Sequence, residues 1–490
     1  ARLLECGAIL FREESSIWSN LAVSYNNMKV APWEAELAAR RAIALDDKLA
    51  ASWSALAGAL CRQGRMEESL AASRMVGSLE PLRKNESLFN LNYSSSLSVE
   101  EISVAHFEAA EARLGRYYRD QIFDNDRNPN KRLRVGFISG DLLGHPVAYF
   151  MEPIFEHLPK FCDVFVYHNR PAPEEDVVSE TIKAYPLKWR NIAELSDEVA
   201  HKLLLEDEID VLVDLSGHTA YHRLPVFAMR AAPVQVSYMG YPNTTALKTM
   251  DYYLCHETVV TDKLPLLFSE DLYIFSRTAC VYRPLVKNKS LISDPKYKVC
   301  QTPALKNGFV TFGTLNNIAK ISDDVISVWS EILKTVTTSK IFVESPGFHQ
   351  RDFVRDFTKR FERFGISKDR VILRNRDPNL QYIRYNEFDI ALDPFPFGGG
   401  TTTCDALWMG MPLVTLYGDT LMSRSGLSAL TILGRPEWAC GTTEEYVRCA
   451  ANLASDIPAL NELRLGLRGE MERSPFMDYE GFAEDLAGAF

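Results

Sequence analysis

The central and C-terminal parts of the chain alternate between short apolar runs and longer helical stretches. Apolar runs of strand length occur first at Leu133–Ser139, Val164–His168, Val211–Leu215 and Val234–Tyr238. A second series comprises Phe309–Phe312, Ile341–Glu344, Val371–Leu373, Ile390–Leu392 and Leu413–Leu416. Alternation of this kind predicts parallel sheets with helices on both faces. We therefore predict two doubly wound α/β lobes in series, joined by the less regular interval from about Thr258 to Lys306.

The first hundred residues follow a helical pattern that repeats. Trp18-x-x-Leu21-Ala22-x-x-Tyr25 returns 35 residues later as Trp53-x-x-Leu56-Ala57-x-x-Leu60. This pattern resembles the tetratricopeptide repeat, a unit of two antiparallel helices with a period of about 34 residues. Stacked units form a solenoid whose concave surface binds extended peptides. The alternative is a plain helical bundle. Ala1–Leu10 is interpreted as the tail of a preceding unit, so we expect a fragment that has lost N-terminal repeats.

Composition restricts the class of protein. The chain has 490 residues, of which 46% are hydrophobic and 24% charged, as expected for a globular protein. A formal net charge of -11 disfavours a general nucleic-acid binder, which needs a cationic surface. The nine cysteines are scattered without metal-ligand spacing, which fits a reducing, cytoplasmic location. No signal peptide or membrane-spanning run is recognised, so we expect no membrane partner.

The segment from Asp393 to Asp405, DPFPFGGGTTTCD, is the most informative for chemistry. It follows the apolar run Ile390–Leu392 and precedes a helix-like stretch, so it predicts a strand, a glycine-rich turn and a helix start. Glycines allow a close approach of backbone to ligand, and the free N–H groups of a helix N-terminus favour phosphate. Asp405 suits a ribose or sugar hydroxyl better than phosphate. The alternative is an ordinary buried strand–helix corner.

Three further loops follow predicted strands and carry candidate functional side chains. His145 lies after the first strand, and His218 lies after the third. Lys320 follows Asn316-Asn317 after the run ending at Phe312, beside the start of another helix. A lysine there can neutralise a diphosphate as a mobile point charge. Each histidine alone is more often structural than catalytic, and Lys320 alone could be a solvated surface residue.

Taken together, these motifs resemble glycosyltransferase family 41, the protein O-GlcNAc transferases and the SPINDLY proteins. The resemblance covers roughly residues 130–470, in order, with tetratricopeptide units before it. The matching stretches are RLRVGFIS from Arg132, His145-Pro146, DLSGHT from Asp214, RAAPVQV from Arg230, GYPNTT from Gly240, Met250-Asp251-Tyr252, FGTLNNIAK from Phe312, GGTTTCD from Gly399, and GDTLMSR from Gly418.

The resemblance implies a fold and a reaction. The fold is an N-terminal α-helical tetratricopeptide solenoid followed by a GT-B fold of two Rossmann-like lobes. The reaction is inverting, metal-independent transfer of a sugar to Ser or Thr of acceptor proteins, with UDP-GlcNAc as the expected donor and no cofactor. The acceptor protein is expected in the groove of the repeats.

The resemblance also implies site residues and domains. His145 matches a histidine at the catalytic centre, Lys320 matches the lysine that contacts the donor diphosphate, and His218 is a weaker catalytic candidate. The residues expected to bind the donor are Asn317, Arg376, Gln381, Gly399, Gly400, Thr401, Thr402 and Asp405; no metal ligand is expected. The predicted domains are the repeats (1–123), a linker (124–131), an N-terminal catalytic lobe on the acceptor side (132–300), a C-terminal lobe on the nucleotide-sugar side (301–470) and a C-terminal helix (471–490).

Two departures from the family leave the donor open. Many O-GlcNAc transferases have a histidine where this chain has Gly400, and SPINDLY proteins, whose donor is GDP-fucose, lack it too. SPINDLY proteins, however, have Glu where this chain has Asp405. The alternatives are therefore a GDP-fucose-dependent O-fucosyltransferase, a UDP-glucose-dependent protein glucosyltransferase, or, in another class, a non-catalytic tetratricopeptide scaffold.

Overall fold

A computed structural model describes residues 2–28, 31–84, 87–284 and 294–490. The helices, labelled in chain order, are α1 (Arg2–Leu10), α2 (Ser15–Met28), α3 (Pro32–Leu45), α4 (Ala50–Cys61), α5 (Met66–Leu79), α6 (Leu88–Leu91), α7 (Val99–Leu114), α8 (Pro146–His157), α9 (Val177–Lys183), α10 (Asp197–Glu206), α11 (Leu224–Ala228), α12 (Leu264–Leu267), α13 (Ala304–Asn307), α14 (Asp323–Thr335), α15 (Arg351–Arg363), α16 (Thr401–Trp408), α17 (Ser425–Leu433), α18 (Thr443–Ala454), α19 (Ile457–Glu472) and α20 (Tyr479–Ala489).

The strands are β1 (Arg134–Ser139), β2 (Asp163–His168), β3 (Lys188–Asn191), β4 (Val211–Asp214), β5 (Val234–Ser237), β6 (Tyr252–His256), β7 (Asp271–Phe275), β8 (Thr311–Thr314), β9 (Lys340–Ser345), β10 (Val371–Asn375), β11 (Ile390–Leu392), β12 (Leu413–Leu416) and β13 (Ala439–Cys440). The chain divides into two compact units. The first unit comprises Ala1–Ser98, Lys298–Gly418 and Glu437–Arg468, and the second comprises Val99–Tyr297, Asp419–Pro436 and Gly469–Phe490.

The helical repeats belong to the first unit. Hairpins α2–α3 and α4–α5 carry the two copies of the Trp-x-x-Leu-Ala pattern, and their leucines and alanines form a common buried cluster. The two tryptophans are held alike: Trp18 Nε1 donates to the carbonyl of Arg12 (3.0 Å), and Trp53 Nε1 donates to that of Asp47 (2.7 Å). The predicted two-helix units are therefore present. The turn between α2 and α3 includes residues 29 and 30, which lie outside the described residues.

The rest of the first unit is built on a six-stranded parallel sheet. Its strand order is β10-β9-β8-β11-β12-β13, so the chain first builds outward from β8 and then restarts beside it with β11. The first-unit helices α14, α15 and α18 supply apolar side chains, among them Trp329, Phe357 and Tyr446, to the buried core of this sheet. The sequence predicted this parallel architecture correctly.

The second unit contains a seven-stranded parallel sheet in the order β3-β2-β1-β4-β5-β6-β7. The register aligns Val135 with both Val164 of β2 and Val211 of β4. Two apolar clusters cover the sheet. One of them includes Phe482, Ala483 and Leu486 of α20, so the C-terminal helix completes the core of this unit.

The predicted strands match the observed ones within a few residues, but four strands were missed. Three of the missed strands, β3, β7 and β13, lie at sheet edges, where each pairs with a single neighbour. The side chains of β3 are exposed or half-buried, so no apolar run marks it. Strand β7 lies inside the interval from Thr258 to Lys306, and residues 285–293 of that interval lie outside the described residues. The predicted domain boundaries stay a prediction.

Among the described residues, no helix is both long and apolar enough to cross a membrane.

The side chain of Arg464 is fully buried and links several segments of the first unit by hydrogen bonds. Its guanidinium donates to the carbonyls of Cys300, Tyr385 and Phe388 and to side-chain atoms of Asn386 and Met411. Burial lowers the pKa of Arg464 to about 10, so it remains charged at neutral pH.

We expect Arg464→Met to lower the free energy of unfolding by about 3 kcal/mol or more, because several buried carbonyls lose their donor. Urea unfolding of the variant and of the wild type measures the difference. The control is Arg448→Met, whose side chain is 68% exposed; it should change stability by no more than about 0.5 kcal/mol. Equal losses in both variants would contradict this account of Arg464.

Candidate functional site

Each of the two sheets has one place where ligands are expected. In a doubly wound sheet, ligands bind at the carboxyl ends of the strands where the strand order reverses. In the first unit this point lies between β8 and β11, and in the second unit it lies between β1 and β4. The predicted site residues follow these strands: Lys320 follows β8, the glycine–threonine turn follows β11, His145 follows β1 and His218 follows β4.

The glycine–threonine turn is organised by the buried carboxylate of Asp393, the first residue after β11. This carboxylate accepts hydrogen bonds from Gly399 N (2.7 Å), Thr415 Oγ1 (3.0 Å) and Asn316 Nδ2 (3.3 Å). Burial raises the pKa of Asp393 to about 6, and the positive charge of Lys320 opposes that rise. Asp393 thus fixes the turn to β12 and to the loop after β8.

Lys320 lies against this turn. Its Nζ donates to the carbonyl of Gly398 (2.7 Å) and to Asn316 Oδ1 (3.2 Å), and it lies 4.6 Å from the ring centroid of Phe397. Asn316 Oδ1 also accepts a hydrogen bond from Thr402 Oγ1 (2.8 Å). The structure therefore brings Lys320, Thr402 and the glycine turn together, with Asn316 between them.

Burial disfavours the charged form of Lys320. Burial lowers the pKa of Lys320 to about 8, although the carboxylate of Asp393 favours the charged form. Burial removes water from the ammonium group, and the nearby carboxylate replaces only part of the lost stabilisation. An anionic ligand at the turn would raise the pKa of Lys320, because a second negative charge favours the protonated lysine.

Helix α16 begins at Thr401, with Gly400 as its N-cap residue. The first N–H groups of a helix have no intrahelical acceptor, and the helix dipole favours an anion at this end. Gly399 must be glycine, because a Cβ atom there would lie 2.3 Å from Thr403 Oγ1. At Gly400 a Cβ atom would meet nothing within 4 Å, so this position is open to a larger side chain.

The other residues predicted to bind the nucleotide sugar are two that contact each other and two that are exposed. Asp405 is buried in α16 and accepts a hydrogen bond from Gln381 Nε2 (2.8 Å), so the structure brings these two together. Asn317 is exposed, and its side chain caps its own helical turn by accepting from Ala319 N (3.1 Å). Arg376 is exposed after β10. Contact of Asn317 and Arg376 with a donor stays a prediction.

In the second unit, His145 is the N-cap residue of α8. Its Nδ1 accepts a hydrogen bond from Val147 N (3.4 Å) and lies 3.9 Å from Asp141 Oδ1. Asp141 in turn accepts a hydrogen bond from Arg170 (3.2 Å). A neutral ring that accepts from Val147 N through Nδ1 carries its proton on Nε2, which can then donate but not accept. For Nε2 to accept a proton, Nδ1 must carry the ring proton and direct it at Asp141, the arrangement that orients a histidine for proton transfer.

His218 is held in a defined protonation state. Its Nε2 lies 2.8 Å from the carbonyl of Thr245, which can only accept, so Nε2 carries the proton. Burial, with a contribution from neighbouring His106, lowers the pKa of His218 to about 3. A ring with this pKa is a poor general base at neutral pH. Its Nδ1 lone pair is instead suited to accept a hydrogen bond, and the catalytic role of His218 stays a prediction.

The loop that carries His218 is fixed by its surroundings. Asp214, at the end of β4, accepts from the backbone N atoms of Ser216 (3.2 Å) and Gly217 (2.7 Å). Gly217 has φ +52°, and a Cβ atom there would lie 2.1 Å from the Cβ of Tyr241. Tyr241 Oη is 2.7 Å from His106 Nε2. Glycine is therefore required for His218 to reach its place.

Sequence reasoning missed several residues on which these sites depend. Asp393 and Asn316 were within the quoted motifs but were given no role, although a polar residue directly after a buried strand is a usable signal. Asp141 could have been paired with His145 by its spacing of four residues. Phe397 and His106 carried no signal, since their roles arise from packing between distant segments.

The chain contains two doubly wound parallel sheets, and one of them has a lysine and a helix N-terminus that suit a phosphate group. These features are typical of proteins that bind nucleotides. The glycosyl transferase family 41 model matches residues 79–283 and 292–486. The chain belongs to glycosyl transferase family 41.

Curated relatives agree with this assignment. A SPINDLY protein of Hordeum vulgare, named a probable UDP-N-acetylglucosamine–peptide N-acetylglucosaminyltransferase, is 35% identical over 412 residues, which cover 82% of this chain and 42% of that protein. The SEC protein of Arabidopsis thaliana, with the same enzyme name, is 28% identical over 369 residues, covering 74% of this chain and 37% of that protein. The chain thus spans about two fifths of the length of these relatives.

A solved structure is similar over the whole chain. A mutant O-GlcNAc transferase of Thermobaculum terrenum superimposes with a TM-score of 0.90 at 29% identity, covering 100% of this chain and 92% of that one. The predicted fold class, a tetratricopeptide solenoid followed by a GT-B fold, is confirmed by this likeness and by the observed elements.

We expect Lys320 to titrate near pH 8, well below the value of about 10.4 for an unperturbed lysine. The group should therefore be charged below pH 8 and largely neutral by pH 9.5. NMR of the protein with 13C-methylated lysines between pH 7 and 11 measures the midpoint, and the resonance missing from Lys320→Met identifies the residue. A midpoint above 10 would show that burial does not lower the pKa of Lys320.

Proposed function

We propose that this protein is an inverting, metal-independent glycosyltransferase that moves a sugar from a nucleotide donor to Ser or Thr of acceptor proteins. The observation that carries the proposal is the cluster of Lys320, Asn316, Thr402 and Asp393 at the switch point between β8 and β11. A desolvated lysine of low pKa beside a helix N-terminus is arranged to receive a diphosphate.

UDP-GlcNAc is the proposed donor. The support is the naming of the SEC relative from Arabidopsis thaliana as a UDP-N-acetylglucosamine–peptide transferase and the likeness to the O-GlcNAc transferase of Thermobaculum terrenum. Asp405 and Gln381, hydrogen-bonded to each other near the start of α16, would contact the nucleoside. The diphosphate would lie at Gly399, Gly400, Thr401 and Thr402, because the first amides of α16 begin there.

The chemical step places new negative charge on the leaving diphosphate. Lys320 and the N-terminus of α16 would stabilise that charge, and a preorganised donor of this kind is typically worth about 10²–10³ in rate. Burial lowers the pKa of Lys320 to about 8, so the lysine is already mostly charged at neutral pH, and a diphosphate beside it would raise that pKa further. No metal ion is needed for this neutralisation in the proposed mechanism.

His145 would assist the acceptor hydroxyl. With Nδ1 accepting from Val147 N, Nε2–H would donate to the hydroxyl oxygen and hold it in line. With the ring proton on Nδ1 and directed at Asp141, Nε2 would accept the hydroxyl proton. General base assistance is worth about 10²–10⁴ in rate. His218, neutral and fixed by Thr245, would accept a hydrogen bond without taking the proton.

The acceptor would be a protein bound in part by the helical repeats. A solenoid of two-helix units offers a surface for an extended segment. With a formal net charge of -11, the chain is not expected to bind nucleic acid, and we propose a cytoplasmic protein without a membrane partner.

Gly400 favours a second candidate, transfer of fucose from GDP-fucose. The position that many O-GlcNAc transferases fill with histidine is here glycine, and the space above it is open. UDP-glucose is a further donor to compare. A scaffold without catalysis is the alternative of another class, and absence of donor binding would favour it.

We expect the wild type to bind one nucleotide sugar in preference and to release its nucleotide. Calorimetry and nucleotide-release assays with UDP-GlcNAc, UDP-glucose and GDP-fucose, each with a protein acceptor, identify the donor. Lys320→Ala should reduce turnover by about 10²–10³ with an unchanged circular dichroism spectrum, because the leaving charge loses its partner.

The matched control is Lys368→Ala, which removes an exposed lysine in the same unit and should leave turnover unchanged. Binding of no donor by the wild type would refute the proposed activity. Wild-type turnover in Lys320→Ala would refute the proposed role of Lys320 but not the proposed activity.

We expect His145→Ala to lower turnover by about 10²–10⁴ while changing the affinity for the donor nucleotide less than about threefold, since proton transfer is lost without a phosphate contact. Single-turnover rates and calorimetric affinities separate the two effects. A variant that binds nucleotide weakly but reacts at the wild-type rate when saturated would contradict a catalytic role.

A further inference from the structure

The turn that carries Lys320 is packed against the helical repeats within the first unit. Gly64, in the turn between α4 and α5, has φ +73°. A Cβ atom added to it would lie 2.6 Å from the carbonyl oxygen of Ile318 and 2.8 Å from that of Ile321. These two residues flank Lys320 in the sequence. The repeat therefore approaches the backbone of the lysine turn as closely as only glycine allows.

Two polar contacts hold the same interface. The buried guanidinium of Arg360 donates to the carbonyls of Gln63 (3.3 Å) and Ile321 (2.8 Å), so it bridges the repeat turn and the lysine turn. Ser95, just before α7, donates to the carboxylate of Asp324 (2.5 Å) in the first turn of α14. The segment from the lysine turn to α14 is thus tied to the repeats at more than one point.

An aromatic cluster also lies against Lys320. The rings of Phe89 and Tyr93 lie 5.6 and 4.7 Å from the ring of Phe397, measured between centroids. Tyr93 and Phe397 are both buried. The ammonium group of Lys320 lies 4.6 Å from the ring centroid of Phe397. The side chain that touches the lysine is therefore packed on residues from the end of the repeat region.

We propose that the helical repeats are part of the donor site: Gly64 and Tyr93 are positioning residues that hold Lys320, through its backbone turn and through Phe397, in the place where it meets the donor diphosphate. This inference rests on the proposed function and extends it, because the repeats then have a role besides binding the acceptor protein. Neither residue contacts the donor in this proposal; both act through Lys320.

The physical reason is the cost of holding a lysine in one place. A lysine side chain loses several rotatable bonds of freedom when it is fixed, and an ammonium that has lost water is fixed only by a rigid surround. Gly64, through the backbone of the lysine turn, and Phe397, through its ring, provide that surround. Loosening either contact lets Lys320 reach solvent, and the bound diphosphate then loses part of its counter-charge.

The first test compares two glycine-to-alanine variants with equal backbone strain. Gly64 has φ +73° and Gly308 has φ +72°, but a Cβ atom on Gly308 would meet nothing within 4 Å. We expect Gly64→Ala to weaken binding of UDP, or of GDP if the wild type prefers it, by about tenfold, and Gly308→Ala by less than about twofold. Calorimetry of the full chain measures both.

The second test asks whether the effect passes through Lys320. In a double-mutant cycle, Gly64→Ala should weaken nucleotide binding by less than about twofold in the Lys320→Ala background, since the residue it positions is already gone. Tyr93→Leu should behave in the same way and keeps the cycle available if Gly64→Ala does not fold. Its control is Tyr25→Leu, which alters the repeat core away from the turn.

The outcomes separate the two proposals. Losses that are equal with and without the Lys320→Ala substitution, or equal losses from Gly64→Ala and Gly308→Ala, would overturn the positioning role while leaving the proposed function intact. A wild type that binds neither UDP nor GDP would overturn both. Binding that depends on Lys320, with losses from Gly64→Ala and Tyr93→Leu that vanish without it, is the expected result.

Discussion

The buried carboxylate of Asp393 is the group on which the glycine–threonine turn and the loop of Lys320 depend. It is buried at the end of β11, and it receives hydrogen bonds from the glycine turn, from β12 and from Asn316. A buried carboxylate must be compensated, and here the compensation comes from the groups that form the site. Its charge also supports the charge of Lys320, which burial opposes. One constraint thus shapes the turn and places a titratable lysine beside it.

The two sheets solve the problem of placing functional loops in the same way. In each, the chain builds outward from one strand and then restarts on its other side, which leaves two loops side by side at the carboxyl ends. Each pair of loops has a buried aspartate at the end of a strand, Asp393 in one unit and Asp214 in the other, that accepts backbone N–H groups of its loop. The side chains differ: one pair of loops supplies a cation and a helix N-terminus, and the other supplies two histidines.

The helical repeats pack directly against the part of the first unit that carries Lys320. They share a compact unit with the sheet that carries Lys320, and they meet it through a glycine, a buried arginine and an aromatic cluster. Contacts of this kind are close-packed and therefore transmit displacement. A structure built in this way makes the position of Lys320 sensitive to the repeats, although they are distant from it in sequence.

The sequence alone determined the fold class and most of the elements. Strands buried on both faces must be apolar, so β1, β2, β4 and β9 were visible as runs, and the Trp-x-x-Leu-Ala pattern marked the repeats. Strand β3 was missed because its side chains are mostly polar and are exposed or half-buried, and β13 because it has only two residues. Strand β7 lies inside the irregular interval from Thr258 to Lys306. Motifs also located Lys320, His145, Gly399, Thr402 and Asp405. Only the tertiary structure decided what these residues can do: that Lys320 has a low pKa, that His218 is neutral, and that Phe397 and Gly64 support the lysine. These properties depend on desolvation and on contacts between segments far apart in the chain, and neither is encoded in any local pattern of residues.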